Sequence, residues 1–119
     1  MTRQQEIRRT LGAVALAIAS STVAIDLNLD AFASTTHQVT QKSRSFNPGT
    51  IEIRRGDTLR ILNDDGELLH HAYVRDGGMT FDSGEQEPGT AVQIRFASAG
   101  QFTVKCDIHP RMRLVVTVK

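Results

Sequence analysis

Cys106 is the only cysteine in the chain, so no internal disulfide can brace the fold and no paired-cysteine motif can hold a structural zinc. There is no Gly-rich phosphate loop and no G-x-S-x-G turn, which removes the commonest nucleotide-binding and serine-hydrolase readings. Neither sign of charge dominates: 14 Lys+Arg stand against 13 Asp+Glu. No basic run exists of the kind that grips nucleic acid or anionic lipid through many phosphate contacts. Long hydrophobic runs are missing too. The main apolar stretch, residues 11–25, is Ala-rich, is softened by Ser20, Ser21 and Thr22, and falls short of the roughly 20 apolar residues a membrane span needs. Internal repeats and low-complexity tracts are absent.

What precedes and follows that stretch gives it a meaning. Arg3, Arg8 and Arg9 form a basic front end, and Ala31-Phe32-Ala33 supplies an A-x-A cleavage pattern. This is the layout of a signal peptide. The Arg8-Arg9 pair before a weakly hydrophobic run is similar to a twin-arginine signal. The expectation is therefore a signal peptide over residues 1–33 and one exported, periplasmic domain over residues 34–119, with no membrane span in the mature form. A domain that small gains from a bound metal when it has no disulfide. An exported chain with one unpaired cysteine needs a use for it, and metal ligation is one.

After residue 34 no helical periodicity stands out. Short alternating segments recur, separated by Asn47-Pro48-Gly49, Gly56-Asp57, Asn63-Asp64-Asp65-Gly66, Asp76-Gly77-Gly78 and Glu87-Pro88-Gly89. This predicts an all-β sandwich or barrel. Period-2 reading puts Ile51 and Ile53 on one face, Leu59 and Ile61 on another, then Val92, Ile94 and Phe96. Phe102, Val104 and Cys106 share an inward phase, as do Met112, Leu114, Val116 and Val118, with Val115 the outward exception. Residues 34–44 read as a first edge strand or a loose lead-in. His37 reads as solvated there, and Met79 as a packing or exposed loop residue.

The two inward phases place Cys106 at the end of one strand and Met112 at the start of the next. Both sulfurs therefore belong to one end of the sandwich. Between them lies Asp107-Ile108-His109-Pro110-Arg111, so Cys, His and Met recur at spacings of three. Thiolate, imidazole and thioether are ligands that copper favours, and a His₂Cys site with a weak axial Met is an electron-transfer copper centre. The second imidazole has to come from another strand end. His70 and His71 both qualify, but successive strand residues point to opposite faces, so only one can serve. His70 shares a face with Ala72 and Val74, and His71 with Leu69 and Tyr73; the small apolar face favours His70 and leaves His71 open.

The segment from Phe46 onward resembles the cupredoxins, in the group that includes plastocyanin and amicyanin. Phe46-Asn47-Pro48, Ile51-Glu52-Ile53 and Gly56-Asp57-Thr58-Leu59 are similar to that family's opening strands. Asn63 and Asp65 resemble the turn before its first ligand, and Phe81-Asp82-Ser83-Gly84 and Ala99-Gly100-Gln101-Phe102 resemble later stretches. Residues 106–112, with Pro110 directly after the histidine, match the short amicyanin-like loop. The resemblance implies a Greek-key β-sandwich holding one copper ion on His70, Cys106, His109 and Met112. It implies a monomeric, non-enzymatic carrier of single electrons that meets a redox partner such as a dehydrogenase or a cytochrome transiently. A copper-delivery protein using the same ligands is the alternative. One departure stands out: plastocyanin-like proteins usually carry Asn after the first ligand His, where it ties the two ligand-bearing strands together, and here that place holds His71.

Overall fold

A computed structural model describes residues 15–24 and 33–119 of the chain. The signal-peptide reading of residues 1–33 lies mostly outside the described residues; residues 15–24 carry no helix or strand. Among the described residues no helix is long and apolar enough to cross a membrane.

The remainder is all-β. Nine strands run in order as β1 (Thr36–Lys42), β2 (Ser45–Asn47), β3 (Thr50–Ile53), β4 (Thr58–Asn63), β5 (Ala72–Asp76), β6 (Met79–Asp82), β7 (Ala91–Arg95), β8 (Gly100–Cys106) and β9 (Arg113–Val118). They form a four-stranded sheet, β2-β1-β4-β7, and a five-stranded sheet, β3-β9-β8-β5-β6. Both are mixed: β1 runs parallel to β4 and β3 parallel to β9, while the other pairs are antiparallel. The chain passes from sheet to sheet after β2, β3, β4, β6 and β7, so each layer is built from distant pieces.

The alternation explains the packing. Phe102, Val104 and Cys106 of β8 and Leu114, Val116 and Val118 of β9 are all buried, as are Leu59, Ile61, Ile94 and Phe96 of the opposing layer. Burying a side chain of this size contributes about 1.5–3 kcal/mol. Val115 is half-buried on the outward face, and Met79, at the head of β6, packs against the core. At the pole where β5 turns into β6, Gly77 and Gly78 form a two-residue hairpin with positive φ. A Cβ on Gly77 would lie 2.8 Å from the Phe102 ring, so both backbone and space require glycine there.

Residues 36–42 correct the reading of a loose lead-in. They form β1, paired with β4 over Thr36 to Gln41 and with β2 only over Thr40 to Lys42, so its first half is an edge and its second half is not. Its inward residues include the polar His37 and Gln41 beside Val39, which hid the alternation. His37 is correspondingly not solvated: its Nε2 lies 2.9 Å from Asp57 Oδ2, and its side chain is 29% exposed.

Asp57 organises this pole. Besides His37, it accepts the backbone N–H of Thr35 at 2.9 Å and of Arg54 at 3.0 Å. Donation by Thr35, then by His37 and Arg54, outweighs burial and lowers its carboxyl from 3.8 to about 2. A depressed carboxylate stabilises the fold above its unfolded value, and that stabilisation is lost as pH falls through the folded value. The shift corresponds to about 2 kcal/mol. Asp57→Asn is therefore expected to be about that much less stable than the parent near pH 5, with the gap closing between pH 4 and pH 2 in urea titrations. A gap that stays constant with pH contradicts the assignment.

Candidate metal centre

The pole opposite Asp57 collects the ends of β1, β4 and β8 and the beginnings of β5 and β9. Cys106 is the last residue of β8, inward and buried. The next six residues turn back to β9, with Met112 N donating to His109 O at 2.9 Å. That turn returns Met112 to the core, where it is 1% exposed. His109 sits half-buried between the exposed Ile108 and Pro110.

His70 enters two residues before β5. It is wholly buried, on the same face as Ala72 and Val74. Its Nδ1 lies 3.9 Å from the Cys106 sulfur, and His109 Nδ1 lies 3.7 Å from the same sulfur. The two imidazole centroids are 5.0 Å apart. The donor atoms of His70, Cys106 and His109 all fall within 4.8 Å of one another. These separations fit a shared ion. Two ligand bonds of about 2.0 and 2.3 Å meeting at a trigonal to tetrahedral angle set nitrogen and sulfur about 3.6 Å apart. One soft sulfur and two imidazoles, closed off by protein on the core side, make a site for a single copper ion.

His71 resolves differently. Its ring is on the outer face, where Nε2 meets Asp82 Oδ1 and the ring edge meets Tyr73. Gly84 N–H and then His71 hold the Asp82 carboxyl below its ordinary range. Of the two candidate histidines, the structure brings only His70 to the sulfur. The tie that an asparagine would make is made by backbone instead: Asp107 N donates to His71 O at 3.1 Å, and Ala72 pairs with Cys106 across β5 and β8.

A buried polar layer beneath the site supports His70. Gln86 N donates to His70 O at 2.7 Å and His70 N to Gln86 O at 3.2 Å. Asn63 Nδ2 donates to Leu68 O and Gln86 O, and Gln41 Nε2 donates to Gln86 Oε1 at 2.9 Å. Strand alternation does not pick out Asn63, Gln86 and Gln41 as buried supports, because polar side chains at inward positions read as pattern breaks. The second His70 nitrogen, Nε2, lies 2.5 Å from Asp65 Oδ2.

The electrostatics keep the open histidine ready to bind metal. Desolvation, with the nearby Arg44 charge, lowers the His109 pKa, and Asp65 opposes this only in part. Its neutral form, with a lone pair to offer, is favoured. Outside the centre, Arg44, Ile108, His109, Pro110, Arg111 and Met112 line a mainly apolar surface groove, and Ile108 is 42% exposed.

No family model and no curated relative matches the chain. Solved structures do. A copper-containing nitrite reductase from Thermus scotoductus SA-01 is 29% identical over 73% of this chain, with a TM-score of 0.63; the match spans only 22% of the reductase. An amicyanin variant in its Cu(I) form is 20% identical, with a TM-score of 0.65 over 71% of this chain and 82% of its own. A purple cupredoxin from Nitrosopumilus maritimus is 24% identical, with a TM-score of 0.61 over 69% of this chain and 98% of its own.

Proposed function

We propose that this cupredoxin-like protein is an exported, monomeric carrier of single electrons, not an enzyme, with His70, Cys106, His109 and Met112 as the ligands of its copper. The observation that carries the reading is the burial gradient across the donors. His70, Cys106 and Met112 are 0–1% exposed, whereas His109 is half-buried and reaches the surface groove. Three donors fixed in a closed core and one at its edge suit passage of an electron better than passage of the ion.

When bound, copper supplies the one-electron Cu(I)/Cu(II) couple. Cys106 contributes a thiolate from the end of β8, and Met112 a weaker thioether. His70 is clamped by Asp65 and by the Gln86 bridge, so little rearrangement accompanies a change of charge. His109 is the electron port, and Ile108, Pro110 and Arg111 form the contact surface around it. A small, mainly apolar contact of this kind fits a short-lived complex with a redox protein, such as a dehydrogenase or a cytochrome.

Two measurements on the copper-loaded protein test this. The Cu(II) form should show an intense visible thiolate-to-copper band. Its reduction by a cytochrome should be far faster than removal of its copper by a chelator. Copper surrendered to a Cu(I) acceptor faster than electrons are exchanged favours the delivery reading, and a colourless Cu(II) complex overturns both the carrier role and the ligand set.

A further inference from the structure

Asp65 is more than a clamp on His70. It follows β4 in a stretch that reads from sequence as an ordinary Asn-Asp-Asp-Gly turn. Its backbone N–H is held by Asn63 Oδ1 at 3.0 Å, and Asn63 is itself wholly buried and anchored to two carbonyls. One carboxylate oxygen, Oδ1, accepts the backbone N–H of Ser43 at 2.8 Å. The other, Oδ2, faces His70 Nε2 at 2.5 Å. The side chain is 12% exposed, so a charge is kept nearly out of water beside an imidazole that has no exposure at all.

The Ser43 contact is informative because of what Ser43 belongs to. Ser43 and Arg44 are the two-residue loop between β1 and β2, closed by the Lys42–Ser45 pair. Both have positive φ, 54° and 55°, and neither is glycine. Such turns match the twist of the flanking strands, but a non-glycine residue in this region is strained. A carboxylate that accepts the turn's N–H offsets that strain. Asp65 is thereby gripped by Asn63 at the end of β4 and by the Ser43 turn, and has one oxygen left, aimed at His70.

A neutral imidazole carries its proton on one nitrogen only. An acceptor-only carboxylate at Nε2 demands the proton there and leaves the Nδ1 lone pair free, and Nδ1 is the atom turned toward the Cys106 sulfur. A carboxylate behind a ligand imidazole also makes it a stronger donor, and a stronger donor favours the more highly charged metal.

We propose that Asp65 is a positioning residue: it fixes His70 as the Nε2–H tautomer with Nδ1 presented to the metal and biases the bound copper toward Cu(II). The second half rests on the carrier reading; the first half does not. Asp65→Asn removes the charge and leaves a single oxygen for two donors, Ser43 N–H and His70 Nε2–H, whereas Asp65→Ala removes every acceptor. Nitrogen-15 long-range correlation spectra of the metal-free protein at neutral pH should show His70 as Nε2–H in the parent and a tautomer mixture in Asp65→Asn and Asp65→Ala. Thermal unfolding and amide spectra identify a variant that has failed to fold, and Asp65→Asn, close to isosteric, keeps the test open in that event.

In the copper-loaded protein, loss of the charge in Asp65→Asn should weaken Cu(II) relative to Cu(I) by about tenfold, which for a one-electron couple raises the potential by about 59 mV. Asp65→Glu, which restores the charge on a longer arm, should recover part of that shift. An Asp65→Ala protein whose His70 tautomer is unchanged, or an Asp65→Asn protein whose potential matches the parent, overturns the proposal while leaving the carrier reading intact. A parent that takes up no copper while Asp65→Ala scrambles the tautomer overturns the carrier reading and supports the positioning role.

Discussion

Cys106→Ser is expected to abolish the visible copper band completely. The band arises from charge transfer out of a thiolate, and a serine hydroxyl neither ionises near neutral pH nor offers a soft donor. The two imidazoles would remain, because His70 is held by Asp65 and Gln86 and His109 by its own turn. The variant should therefore retain at most a pale, weakly held Cu(II). The metal-free fold should suffer much less. Buried cysteine packs as a small apolar group, so serine leaves a buried hydroxyl beside imidazole nitrogens that stand 3.9 and 3.7 Å from the sulfur it replaces, too far for a full hydrogen bond. A loss of about 1–2 kcal/mol in urea unfolding is expected. An absorption spectrum and a denaturation curve on the same sample separate these effects. Retention of a blue band would remove Cys106 from the site.

The second large effect is a contrast between neighbours. His70→Ala removes a donor, opens a hole in a fully buried position and leaves the Asp65 carboxylate facing it unpaired. Loss of the type 1 spectrum is expected, together with about 2–4 kcal/mol of stability. His71→Ala removes an outer-face pairing with Asp82, whose side chain is 43% exposed, and an edge contact with Tyr73, but no metal donor. Exposed ion pairs contribute about 0–1 kcal/mol, so the spectrum should be intact and the stability nearly so. Equal losses in the two variants, read by copper titration and thermal melts side by side, contradict the placement of His70.

The sandwich was legible because β8 and β9 alternate almost without exception, and an alternating run of valine, leucine and phenylalanine has little choice of conformation. Cys106 and His109, which the structure brings together, were legible for a related reason. They lie on one short turn, so their spacing is a local property of the chain. His70 could be narrowed by parity with Ala72 and Val74, but parity cannot decide between two adjacent histidines. In the structure His71 pairs with Asp82, eleven positions away, on the outer face, and His70 lies beside the sulfur. Asp65, Asn63, Gln41 and Gln86 could not be read as supports. Polar residues at inward positions mimic loops in a hydrophobicity pattern, and the Gln41–Gln86 contact joins residues 45 positions apart. The same masking made β1 look like a loose lead-in, since its inward His37 finds Asp57 only after β1 lies alongside β4.

His70 and Cys106 stand 36 positions apart and meet only because β5 lies against β8. A partly synthesised or misregistered chain therefore has half a binding site and no means of holding copper tightly. Loading is in effect a certificate of completed assembly: chains that have not closed this seam are left unloaded. Those that have closed it are further shielded from unfolding by the occupancy itself, by a margin that grows with the logarithm of available copper.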